Sequence, residues 1–72
     1  MSDIPEKLRL LLDYWIEHNR EHEEEFQEWA GRAALFSTEI ARHLAEAATE
    51  MAASSRKLEK AREILEKSKE GQ

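Results

Sequence analysis

The residues able to do chemistry in this chain are three histidines and the glutamates around them. His18 and His22 stand four positions apart. On a helix that spacing puts both side chains on one face, with Cβ atoms about 6 Å apart, so two imidazoles can reach one metal ion. Each histidine has a glutamate three positions on: Glu21 after His18, Glu25 after His22, Glu46 after His43. Imidazole with carboxylate suits Zn, Ni, Co, Fe or Mn, and the lack of cysteine leaves no thiolate for Cu(I). The expectation is a divalent transition-metal ion (Zn, Ni, Co or Fe) held by His18 and His22, with Glu25, His43 and Glu46 as further ligands. Neutral imidazole is the binding form, so affinity should fall below about pH 6.5, the reference value for histidine.

Two metal-free arrangements stay open. The histidines can satisfy one another across a dimer axis, or the helix can be exposed there. Bundle di-iron proteins carry Glu-x-x-His on two helices. The order here is His-x-x-Glu, so a bundle-type metal oxidase is a third reading without direct support from the spacing. No catalytic residue is expected: Ser37, Ser54 and Ser55 show no nucleophile-base arrangement, and no glycine-rich phosphate loop is present.

The elements that must position these residues are helices. Asp3 and Glu6 resemble a capping box, with Pro5 tolerated in the first turn. No breaker follows until Gly31, which predicts helix 1 over about residues 4–30. Its expected seam is Leu8, Leu11, Trp15, His18, His22, Glu25 and Trp29, a 3,4 spacing that is apolar at the ends and polar in the middle. Gly31 can end that helix and Ser37 or Thr38 can cap the next. A connection over about 31–37 then leads into helix 2 at about 38–69. The expected seam of helix 2 is Ile40, Leu44, Ala47, Met51, Ser54, Leu58, Ala61 and Leu65, with a break conceivable at Ala53–Ser55.

A short connection makes the helices antiparallel neighbours. Centred near residue 33 or 34, it would set Ala47 and Ala48 opposite Trp15–His22, and bring His43 and Glu46 within a turn of His22 and Glu25. Trp15, Trp29, Phe26 and Tyr14 read as core and interface anchors. Leu10, Leu12, Tyr14 and Ile16 would remain partly exposed and ask for another surface.

Length and composition narrow the class. The 72 residues allow one domain, 1–72. A chain this short usually needs a staple to be stable; without cysteine a disulfide is excluded, which leaves a metal ion, self-association or a very regular helix pairing. The formal charge of −5 argues against nucleic acid as a partner. It is uneven: from Met1 to Gly31 nine acidic residues face three basic, and from Arg32 onward seven face eight. No run approaches the roughly 20 apolar residues of a membrane span, and no signal peptide is evident. A cytoplasmic location is expected.

The run Trp15-Ile16-Glu17-His18-Asn19-Arg20-Glu21-His22, followed by Phe26 and Trp29, resembles the signature of a family of small uncharacterised prokaryotic helical proteins. Those carry W-I-E-H-N-x-E-H and then an aromatic residue and a tryptophan. The likeness is strongest over residues 14–30 and looser over 39–65. It implies that His18, Asn19 and His22 belong to a shared feature, and it implies no activity. At Tyr14 such relatives would be expected to carry another histidine.

The sequence thus predicts an all-α protein: an antiparallel two-helix hairpin pairing with a second copy into a four-helix bundle. The leading functional expectation is transition-metal storage, sensing or delivery without enzymatic activity. The alternative is a metal-independent structural or interaction module that homodimerises through its helix seams. A protein partner for a helix groove is compatible with either.

Overall fold

A computed structural model describes residues 3–70. Residues 1, 2, 71 and 72 of the expected domain lie outside the described residues. Two helices, α1 (Ile4–Ala33) and α2 (Thr38–Glu70), make the all-α hairpin. It measures 55 × 15 × 12 Å. Among the described residues no helix is long and apolar enough to cross a membrane.

Helix α1 starts at Asp3, whose carbonyl accepts from the Lys7 amide at 3.0 Å. The capping-box expectation is not met, because the Asp3 side chain makes no cap hydrogen bond. Its carboxylate stands 3.7 Å from Lys7 Nζ instead, and Pro5 occupies the first turn, where a missing N–H costs nothing. The expected stop at Gly31 is also corrected. No described glycine has positive φ, and α1 runs on through Gly31 to Ala33. Residues 34–36 make the turn, and the Phe36 and Ser37 amides both close onto the Ala33 carbonyl, at 2.8 and 2.7 Å. Of the two expected caps, Ser37 and Thr38, it is Ser37 that caps α2, its Oγ accepting from the Ile40 amide at 3.1 Å. Helix α2 passes through Ala53–Ser55 without a break.

The seam differs from the expected one. At the edge of the α1 seam Arg9 and the expected His22 are half-buried, and its main row is Leu12, Ile16, Asn19, Glu23, Phe26, Ala30 and Ala33. They keep the 3,4 spacing but sit one residue later, about 100° round the helix. On α2 the expected Leu44, Ala47, Met51, Leu58 and Leu65 do face inward, joined by Ala48, Ser55 and Arg62, while Ile40, Ser54 and Ala61 are exposed. Leu12, Ile16 and Ala48 are 2–3% exposed, with Ser55 at 5%. By contrast Leu8, Leu11, Trp15 and Trp29 remain 37–50% exposed. The reason is size and polarity. Two helices lined with Ala30, Ala33, Ala41, Ala48 and Ser55 approach closely, leaving room for Leu and Ile but not for two indoles. Burying His18, His22 and Glu25 between them would also require partners for each, whereas Asn19 finds one in Ser54, its Nδ2 donating to Oγ at 3.3 Å.

Two ion pairs set the register. Arg62 Nη1 donates to Asp13 Oδ1 at 2.8 Å, and Arg20 pairs with Glu59. With Asn19–Ser54, they put Ala48 level with about Phe26, not with Trp15–His22 as expected.

Candidate functional site

The histidine pair is carried in the middle of α1, on the side of the helix next to the seam, with His22 half-buried and His18 exposed. Four rings at i, i+4 spacing run along it: Tyr14, His18, His22 and Phe26. Tyr14 stacks on His18 with centroids 5.4 Å apart, and His22 on Phe26 at 5.7 Å. Between these stacked pairs, His18 and His22 meet edge to face at 4.4 Å. Their Nε2 atoms are 3.0 Å apart. One ring must donate and the other accept for that contact to be favourable. Sequence reasoning missed this ladder, although its signal, four aromatic residues at 14, 18, 22 and 26, was in plain sight.

The 3.0 Å Nε2 spacing is an ordinary hydrogen-bond distance and falls within the range that two nitrogen ligands of one metal ion would span. With metal–nitrogen bonds of about 2.0–2.1 Å, two ligand nitrogens lie about 2.9 Å apart at a right angle and about 3.4 Å apart at the tetrahedral angle. On the far side of the ring, His22 Nδ1 stands 3.5 Å from Glu25 Oε1. A carboxylate there is how proteins orient a metal-binding imidazole and select its tautomer.

The remaining predicted ligands are elsewhere. The register of Asn19–Ser54 and Asp13–Arg62 sets His43 level with about Gly31, more than two turns from His22. It does not bring His43 and Glu46 to His22 and Glu25 as expected, because the turn lies later than residue 34 and the helices are offset further. His43 Nδ1 instead faces Glu46 Oε1 on its own helix at 3.6 Å, and Glu46 also accepts from Arg42 at 3.4 Å. Among the described residues no group of three or more His, Cys, Asp or Glu converges on one metal position. Each chain offers two imidazoles, close together and open to one side.

That open side belongs to a larger face. Leu8, Leu11, Trp15 and Trp29, the expected seam of α1, form an exposed stripe flanking His18 and His22. Asp13 and Arg20 each lie two residues before Trp15 and His22, about 200° round the helix. The ion pairs to α2 therefore close the opposite side of the hairpin, not the aromatic side. Exposed Ile40, and Leu35 and Phe36 at the turn (95% and 84% exposed), extend the apolar surface toward one end. Arg32 lies over the Trp29 ring at 4.9 Å.

Residues 8–65 match the family described as a domain of unknown function (DUF8180). A protein from Archaeoglobus fulgidus, described as uncharacterized, is 49% identical over 43 residues, which cover 60% of this chain and 69% of that protein. No solved structure matches the chain.

Proposed function

The chain belongs to the DUF8180 family, and from that premise we propose that it is a self-pairing module, a helical hairpin that joins a second copy through its aromatic side to make a four-helix bundle. The observation that carries this reading is surface in excess. The chain exposes 5783 Å², where a compact protein of 8.4 kDa exposes about 4,600 Å². The surplus of about 1,200 Å² exceeds the roughly 800 Å² per partner of a standard interface. Leu8, Leu11, Trp15 and Trp29 are 37–50% exposed along one side, and an apolar patch of that kind marks an interaction surface.

On charge, a second copy running antiparallel fits the surface better than one running parallel. Between Glu17 and Arg32, α1 holds six carboxylates (Glu17, Glu21, Glu23, Glu24, Glu25, Glu28) and two guanidinium groups (Arg20, Arg32). The first half, Ile4–Trp15, is balanced by Lys7 and Arg9 against Glu6 and Asp13. Copies running in opposite directions set the acidic half against the balanced one and avoid like-charge contact. Leu8 and Leu11 then lie within a turn of Trp29 of the second copy.

Sedimentation equilibrium in EDTA tests this. The expected mass is twice 8.4 kDa at micromolar concentration; a single-chain mass across the accessible concentration range would refute the reading. Transition-metal binding by His18 and His22, in storage, sensing or delivery, is the second reading. The 3.0 Å Nε2 spacing favours it.

A further inference from the structure

We propose that the metal site is shared between chains: His18 and His22 of two copies meet around one divalent d-block cation, and zinc is the probe of choice. This rests on the self-pairing proposed above. Within one chain the site is half built. Two Nε2 atoms converge at 3.0 Å, Glu25 stands on the Nδ1 side of His22 at 3.5 Å, and no third ligand joins them among the described residues. Four-coordinate zinc needs four donors, and a second imidazole pair supplies the two that are missing.

The position of the pair makes that meeting geometrically direct. His18 and His22 lie at the middle of the exposed stripe, between Leu8, Leu11 and Trp15 on one side and Trp29 on the other. A two-fold axis level with residues 19–20 matches the apolar ends of the stripe to each other. The same axis brings pair against pair. The apolar ends then enclose a polar centre whose imidazoles would otherwise be buried against imidazoles, at a desolvation cost that a cation offsets. The acidic second halves of the two α1 helices flank the axis, so the local potential favours a positive ion.

The test is zinc titration by calorimetry together with sedimentation, on the parent chain, His18→Ala/His22→Ala and His43→Ala. Expected are one zinc per two chains in the parent and in His43→Ala, and binding weaker by about 100-fold or more in the double variant. The double variant in EDTA should still sediment as two chains. Cobalt in place of zinc should give the intense visible absorption of a four-coordinate site. One zinc per chain, or unchanged binding in the double variant, overturns the shared site and leaves the pairing intact. A single-chain mass with and without zinc overturns the pairing and the shared site together. Pairing that appears only with zinc upholds the site and overturns metal-independent pairing.

Discussion

Ser55 shows how much a single polar atom weighs in so thin a core. It is 5% exposed, and its Oγ has no hydrogen-bond partner among the described residues. A buried hydroxyl left unpaired costs about 1–3 kcal/mol. Ser55→Ala should therefore stabilise the fold by about 1 kcal/mol, read as a higher urea midpoint with unchanged slope. Ile16 is the opposite case. It is 2% exposed, and few other side chains are as fully enclosed. Ile16→Ala should destabilise by about 2–5 kcal/mol, enough to unfold much of the population at 25 °C by circular dichroism. The exposed ion pair between Arg62 and Asp13 weighs less. Arg62→Ala should cost under about 1 kcal/mol at low salt, and the loss should shrink further in 1 M NaCl.

At the level of elements, Gly31 is a test of why α1 runs past its expected end. The glycine is helical, and a Cβ added there meets nothing within 4 Å. The left-handed freedom of glycine is unused, so only its entropic cost remains. Gly31→Ala should stabilise by about 0.5–1 kcal/mol, measurable as a rise in melting temperature at fixed protein concentration. Had glycine closed the helix with positive φ, the same change would be destabilising. The stop comes instead at residues 34–36, where Ser37 begins the next helix with its own side chain. Helix α2 survives Ala53–Ser55 because serine is only mildly unfavourable in a helix and Ser54 accepts from Asn19 across the hairpin.

At the level of the whole molecule, the hairpin alone is long and narrow. Its radius of gyration of 16.4 Å compares with about 11 Å for a compact domain of this length. A second hairpin laid on its aromatic side would double the layers and enclose that side. Trp15→Glu places a charge in the middle of the stripe but outside the intramolecular seam. It should turn the two-chain species into single chains by sedimentation while leaving α1 and α2 helical. The melting temperature of the parent should rise with protein concentration, as mass action requires of a chain stabilised by pairing; a concentration-independent value would count against it.

What the amino-acid sequence determined by itself was the all-α class, the two helices to within a few residues, a cap at Ser37 or Thr38 and the nearness of His18 to His22. Each follows from local physics: 3,4 apolar spacing, a capping hydroxyl, and four residues per side-chain row. The choice of seam was a tertiary decision. Helix α1 carries two apolar stripes one residue apart, one aliphatic and one rich in tryptophan and histidine, and periodicity scores both alike. Only close packing against the alanines of α2 separates them, admitting Leu12 and Ile16, leaving His22 half-buried at the edge and turning Trp15 and His18 aside. The distance from His43 to His22 was settled in the same way, by the register that Asp13, Asn19 and Arg20 impose across the hairpin, which no one helix contains.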